Sequence, residues 1–102
     1  LYRIDFMHAG IVRAGRSEGA KPLQRKPSDY LRENFYYTTS GMAWEPSITF
    51  VQQQMGYDRV MYAMDYPYQY VAEEVAAMDA LPLTAEQKKM FFQTNAEQLF
   101  RL

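Results

Sequence analysis

One carboxylate in this chain stands out as a candidate for chemistry, because Asp65 directly follows a run of apolar and aromatic residues, 60–64. Such a run is typical of a parallel strand that is covered on both faces. Pro67 prevents the strand from continuing. In α/β barrels the catalytic groups follow the carboxyl ends of the strands. Asp65 is therefore predicted to bind a metal or to transfer a proton, and the alternative is that it only forms the turn before Pro67.

Few other residues of the chain have side chains that could bind a metal or act as a nucleophile. His8 is the one histidine, and the chain has no cysteine. A catalytic metal usually takes at least three protein ligands, so a complete His-rich site is not expected here. His8 falls on the apolar face of a predicted helix, where a packed histidine that bonds to a neighbour such as Asp5 is commoner than a metal ligand. The hydroxyls of residues 36–40 lack the elbow motif and partners of a nucleophile.

The elements that position Asp65 are predicted to alternate between strand and helix. Residues 35–39 and 60–64 have the composition of strands, and a helix over residues 46–55, ended by Gly56, lies between them. This order predicts two adjacent parallel strands joined by a right-handed crossover. Two parallel strands do not make an independent sheet. The chain, which opens without an initiator methionine, is therefore expected to be part of a larger protein.

Further helices are predicted on both sides of this unit. The first, residues 1–14, ends at Gly15, and a loop over residues 15–27 follows it. Its apolar face consists of Leu1, Ile4, His8, Ile11 and Val12. Ser28 is predicted to cap a short helix that runs to Glu33.

The carboxyl-terminal part is predicted to be helical as well. A helix over residues 69–80 has Val71, Val75 and Met78 on one side. Thr84 to Gln87 form a capping box that opens a helix to about Gln93. Thr94 or Asn95 is expected to cap a last helix that ends at Phe100. Met55, Met61, Met64, Met78 and Met90 are expected to pack in the core.

Composition excludes several functional classes. The 102 residues are 48% hydrophobic and 16% aromatic, which indicates one folded domain at most. The lack of cysteine excludes disulfides and cysteine-based zinc sites. No membrane span or signal peptide is visible, so a cytoplasmic location is expected. Residues 1–26 carry six basic and two acidic groups, a net +4, but no nucleic-acid motif accompanies them, and a solvated surface is the expectation.

Four blocks of the chain resemble the C-terminal third of the amidohydrolase-2 family. They are similar to its metal-dependent non-oxidative decarboxylases of hydroxybenzoates, which include the 2,3-dihydroxybenzoate and γ-resorcylate decarboxylases. The blocks occur in the family's order and cover residues 2–5, 34–41, 58–68 and 94–100.

The resemblance implies a (β/α)8 TIM barrel of which this chain, as a single partial domain over residues 1–102, supplies strands 7 and 8. It implies that Asp65 is catalytic and binds or faces a divalent metal, zinc or manganese, whose other ligands lie outside the chain. It implies that Arg3 and Tyr68 contact the substrate, a small aromatic carboxylate. His8 corresponds to none of the family's metal ligands. The implied partners are the rest of the barrel and further copies in a homo-oligomer, without nucleic acid or membrane.

Two alternatives stay open at this point. The first is a hydrolase or hydratase of the same family. A His-x-His pair after the first strand of the barrel would favour a hydrolase, whereas Glu-x-His or Ala-x-His would favour a decarboxylase or hydratase. The second alternative is a non-catalytic α/β piece that associates through its unpaired strands with the rest of a barrel or with copies of itself.

Overall fold

The structure is a computed structural model that describes residues 1–16 and 21–102. The chain forms two compact units, Leu1–Phe35 and Tyr36–Leu102. The predicted loop over residues 15–27 includes residues 17–20, which lie outside the described residues. Among the described residues, no helix is long and apolar enough to cross a membrane.

The first unit contains two helices, α1 (Tyr2–Arg13) and α2 (Pro27–Asn34). The predicted stop of α1 is confirmed, because Gly15 has a φ of +64°. Its N–H donates to the carbonyl of Val12, and the N–H of Arg16 donates to that of Ile11. This pair of bonds satisfies two carbonyls in the last turn of the helix in a Schellman motif. The predicted apolar face of α1 is not buried, since the helix contains no buried residue.

A carboxylate of α1 accepts hydrogen bonds from the first turn of α2. Asp5 accepts hydrogen bonds from the backbone N–H of Ser28, at 2.9 Å, and from its hydroxyl, at 2.6 Å. The prediction that Ser28 caps α2 is wrong, because α2 begins at Pro27 and Lys26 is its N-cap residue. Ser28 lies in the first turn, and its hydroxyl donates instead of accepting. Asp5 is thus engaged by Ser28 and not by His8.

The second unit begins with a parallel β-α-β arrangement. Strand β1 (Tyr37–Thr38) leads through α3 (Glu45–Met55) and a 3₁₀ turn (Tyr57–Arg59) to β2 (Val60–Met61). Tyr37 pairs with Val60 and Thr38 with Met61 in parallel register, as predicted. Both strands are shorter than the predicted 35–39 and 60–64, because regular pairing stops after two residues. Gly56 ends α3 with a φ of +106°, as predicted.

Four more helical elements complete the second unit. Helix α4 (Ala72–Asp79) is shorter than the predicted 69–80. Helix α5 (Ala85–Lys89) starts with the predicted capping box, in which Thr84 and Gln87 exchange hydrogen bonds. It continues through a π-helical segment (Met90–Thr94) into α6 (Asn95–Phe100). The prediction that Asn95 or Thr94 caps a separate helix by its side chain is therefore wrong.

The core of this unit lies between β2, α3 and the carboxyl-terminal helices. It consists of Ile48, Val60, Met78, Leu81 and Phe91. Tyr62 packs on the rings of Phe91 and Phe92, with ring centroids 6.1 and 5.4 Å apart. Of the predicted core methionines, Met61 and Met78 are buried, and the others are half-buried. Both residues of β2 are buried, as expected for a strand covered on both faces.

Candidate functional site

Asp65 lies beyond the carboxyl end of β2 and immediately before a turn over residues 66–68. Its φ is +67°, a left-handed conformation that aspartate tolerates better than most residues. Its carbonyl accepts the N–H groups of Tyr68 and Gln69, at 2.9 and 3.0 Å. Among the described residues, no side chain bonds to its exposed carboxylate. The backbone of Asp65 is thus fixed while its carboxylate is available to a ligand.

The segment before Asp65 is attached to the end of β1 by Thr39. The N–H of Thr39 donates to the carbonyl of Met61 at 3.2 Å. Its hydroxyl accepts the N–H of Ala63 at 3.1 Å and donates to the carbonyl of Ala63 at 3.2 Å. Thr39 is 3% exposed, so these bonds are shielded from water. Thr39 therefore extends the contact between the strands beyond their regular pairing.

The other side of β2 is attached to the π-helical segment. Asn95 donates from Nδ2 to the carbonyls of Tyr57, at 2.7 Å, and Val60, at 3.0 Å. The N–H of Tyr62 donates to the carbonyl of Phe91 at 2.9 Å. A π-helical turn shifts the helical hydrogen bonds by one residue, and the N–H of Asn95 bonds to the carbonyl of Met90. The carbonyl of Phe91 is thereby available to Tyr62.

The predicted site residues fall in both units. Arg3 is an exposed residue of α1 in the first unit. Asp65 and Tyr68 share one turn of the second unit, where the Tyr68 side chain is 90% exposed. Tyr66 and Tyr70 are exposed beside it, so three phenol rings follow Asp65. The structure therefore brings Asp65 and Tyr68 together through their backbones.

Two half-buried tyrosines, one in β1 and one directly after β2, have perturbed phenol groups. Burial raises the pKa of Tyr62, which directly follows β2, and the pKa of Tyr37, which lies in β1. A raised pKa keeps both phenols protonated at neutral pH, because burial disfavours the charged form. Neither tyrosine is suited to act as a base, and Asp65 remains the candidate for proton transfer on this side of the strands.

The described residues could contribute one ligand to a metal site. Within residues 1–16 and 21–102, no group of three His, Cys, Asp or Glu side chains could hold a metal ion. A carboxylate such as that of Asp65 is a hard oxygen donor, which suits Mn²⁺ and also binds Zn²⁺. Asp65 fits the role of one ligand in a site whose remaining ligands come from elsewhere.

Sequence reasoning missed two residues that hold the site. The sequence places Thr39 in a strand and gives its hydroxyl no catalytic partner, whereas in the structure this side chain bonds to residue 63, 24 positions away. The sequence predicts a cap at Asn95, whereas in the structure this residue lies inside a continuous helix. An asparagine within a helix is a weak signal that its side chain bonds elsewhere, since asparagine has low helix propensity.

The parallel β-α-β unit, with an exposed carboxylate after its second strand, defines a class of α/β proteins whose polar groups gather at the carboxyl ends of parallel strands. A family model described as amidohydrolase matches residues 3–102. The chain belongs to the amidohydrolase family, which confirms the resemblance noted in the sequence.

The chain is similar to several decarboxylases within this family. It is 30% identical over 102 residues to γ-resorcylate decarboxylase of Rhodococcus jostii, covering 100% of this chain and 30% of that protein. It superposes with a TM-score of 0.92 and 60% identity on 5-carboxyvanillate decarboxylase from Novosphingobium aromaticivorans, covering 99% of this chain and 29% of that one. That enzyme was crystallised with manganese and 4-hydroxy-3-methoxy-5-nitrobenzoic acid.

The chain is also similar to a second solved decarboxylase structure. It is 5-carboxyvanillate decarboxylase from Sphingomonas paucimobilis, with a TM-score of 0.89 and 37% identity over 100% of this chain and 30% of that one. This chain therefore spans about 30% of the length of the curated relatives that it matches. The γ-resorcylate branch was expected from the sequence, whereas the similarity to 5-carboxyvanillate decarboxylases is new.

Proposed function

We propose that this chain forms the strand 7 and strand 8 portion of a (β/α)8 barrel that decarboxylates a hydroxylated aromatic acid without an oxidant. In this proposal β1 is strand 7 and β2 is strand 8, and residues 1–102 are one partial domain of the barrel. Asp65 is the metal ligand and proton carrier that the chain contributes.

The observation that carries the proposal is the exposed carboxylate of Asp65 beyond the carboxyl end of β2, in a chain that is 60% identical to a manganese-bound decarboxylase. That relative's ligand is a benzoate with a hydroxyl group and a nitro group on adjacent ring carbons. The nitro group has the shape and planarity of a carboxylate. The substrate class proposed here is therefore a benzoate whose scissile carboxylate lies next to a phenolic hydroxyl.

The chemistry explains why a carboxylic acid is needed. Direct loss of CO₂ from an aryl acid would leave an aryl carbanion, which is too basic to form in water. If Asp65 first delivers a proton to the ring carbon that bears the carboxylate, a C–H bond forms there and the aromatic sextet is lost. The C–C bond then breaks, CO₂ leaves, and the electron pair of that bond restores the ring. Asp65 regains its proton from solvent.

Asp65, with ligands from outside this chain, would hold a divalent metal, manganese or zinc, which would supply Lewis acidity toward the substrate. Arg3 would hold a carboxylate through the two-point geometry of its guanidinium. Tyr68 would line the aromatic ring of the substrate. The rest of the barrel would supply the other metal ligands, and a homo-oligomer would bring Arg3 to a neighbouring site.

The test compares Asp65→Asn with Asp58→Asn in the intact protein that carries this segment. Both changes are nearly isosteric, but Asp58 is an exposed residue of the 3₁₀ turn whose carboxylate lies 3.5 Å from Arg59. We expect Asp65→Asn to lower kcat by about 100-fold or more, the scale of losing a positioned acid–base group. Asp58→Asn should keep kcat and metal content. Near-normal turnover by Asp65→Asn would mean that Asp65 only shapes the turn.

A further inference from the structure

Near Asp65, the hydroxyl of Thr39 takes the place of a backbone group in the hydrogen bonding between the two strands. In the register of Thr38 with Met61, continued regular pairing would join the N–H of Ala63 to the carbonyl of Thr39. That carbonyl instead accepts the N–H of Met42 at 2.9 Å, because the chain turns at Gly41 with a φ of +74°. The Thr39 side chain takes over both backbone groups of Ala63. The strand pair is thus continued by one hydroxyl.

The position of this bond matters because Ala63 is separated from Asp65 by Met64 alone. Consecutive Cα atoms are about 3.8 Å apart, so a fixed Ala63 leaves little freedom to Asp65. The carbonyl of Asp65 is held from the other direction by Tyr68 and Gln69. Among the described residues, the Asp65 carboxylate has no side-chain partner that would orient it. Its direction therefore depends on the backbone that carries it.

We propose that Thr39 is a positioning residue for Asp65, one that sets the place of this carboxylate through the backbone of Ala63. The inference rests on the proposed function, in which Asp65 is a metal ligand and proton carrier. A hydroxyl is required because it donates to one group of Ala63 and accepts from the other. Serine can do the same, whereas valine has the shape of threonine and can do neither.

The experiment uses the intact protein with Thr39→Val, Thr39→Ala and Thr39→Ser, and Thr84→Val as a matched control. Thr84 also bonds to backbone through its hydroxyl, which accepts the N–H of Gln87 at 3.2 Å, but it is exposed at the start of α5. The measurements are the Mn²⁺ dissociation constant of the metal-free protein, by electron paramagnetic resonance, and kcat with 5-carboxyvanillate and γ-resorcylate. Amide hydrogen exchange at Ala63 and the midpoint of urea unfolding complete the set.

We expect Thr39→Val and Thr39→Ala to weaken Mn²⁺ binding and lower kcat by roughly 10- to 100-fold, the range for partners that orient a metal ligand. The Ala63 amide should exchange faster in both. Thr39→Ser should restore all three quantities to near wild type. Thr84→Val should lower the urea midpoint and leave Mn²⁺ affinity, kcat and the Ala63 amide unchanged.

The possible failures are distinguishable. Wild-type protein that binds Mn²⁺ and turns over, together with unchanged affinity and kcat in a folded Thr39→Val or Thr39→Ala, would overturn the role of Thr39 alone. Equal losses in Thr39→Ser and Thr39→Val would overturn it too, because the hydroxyl would then not be the active feature. Wild-type protein that neither binds Mn²⁺ nor decarboxylates would overturn the proposed function and this role with it.

Discussion

Replacing Asn95 by alanine tests how the carboxyl-terminal helices hold β2. Asn95 is 2% exposed, and its amide is the donor to two backbone carbonyls, those of Tyr57 and Val60. Alanine keeps the helix, since it has the highest helix propensity. The change therefore removes two donors without breaking the π-helical segment, and it leaves both carbonyls without these partners inside the fold.

The expected loss follows from the burial of the two acceptors. An unsatisfied buried polar group costs about 1–3 kcal/mol. Val60 is buried and Tyr57 is half-buried, so we assign about 2 kcal/mol to the first carbonyl and about 1 to the second, about 3 kcal/mol in total. With a urea m-value of about 1.5 kcal/mol per molar, the unfolding midpoint should fall by about 2 M. Urea unfolding followed by far-ultraviolet circular dichroism measures this shift.

The control for this experiment is Gln98→Ala, on the same helix but exposed. Its effect on the free energy of unfolding should stay within about 0.5 kcal/mol. Asn95→Asp should be at least as destabilising as Asn95→Ala at neutral pH, because a carboxylate only accepts hydrogen bonds and would face two carbonyls. It should recover partly in acid, where the protonated group can donate once. A loss below about 1 kcal/mol in Asn95→Ala would refute the assigned role of these bonds.

Two further predictions concern the first unit and the chain as a whole. The hydroxyl and N–H of Ser28 lower the pKa of Asp5 below its ordinary value of 3.8, so their contact should stabilise α1 and α2 above that pH and be lost as the pH falls through the lower, folded-state pKa. The amide chemical shift of Ser28 should titrate with a midpoint below 3.8 and become flat in Asp5→Asn; a midpoint at or above 3.8 would contradict the contact. The purified 102-residue chain should not decarboxylate γ-resorcylate or 2,3-dihydroxybenzoate with added manganese or zinc, since its described residues offer no three-ligand group. Turnover by that chain would show that the site is misplaced.

Features that depend on local sequence could be predicted well. The capping box of Thr84 and Gln87, and the stops at Gly15 and Gly56, each depend on neighbouring residues and were confirmed. The parallel pairing of the two strands followed from the order of the elements. These features are determined by short-range geometry, which a single sequence contains.

Features that depend on distant residues could not be predicted. Ser28 has the residue type of a helix cap, but the carboxylate of Asp5, 23 positions away, engages both its donors. Asn95 likewise bonds 35 and 38 positions away instead of capping its own helix. The apolar face of α1 suggested burial, which the first unit by itself does not provide. The position of Asp65 after a predicted strand is enough to make it the candidate carboxylate. The hydrogen bonds by which Thr39 holds the neighbouring Ala63 are visible only in the structure.

The bonds of Phe91 and Asn95 to β2 also limit how the sheet can grow. A strand at the edge of a sheet offers unpaired N–H and C=O groups to any other chain and is a risk for aggregation. Here the carbonyl of Val60 and the N–H of Tyr62, which point away from β1, are already occupied. An incoming strand can therefore not pair with these two groups of β2. The helix thus protects this part of the edge of β2 against addition of further copies of the chain.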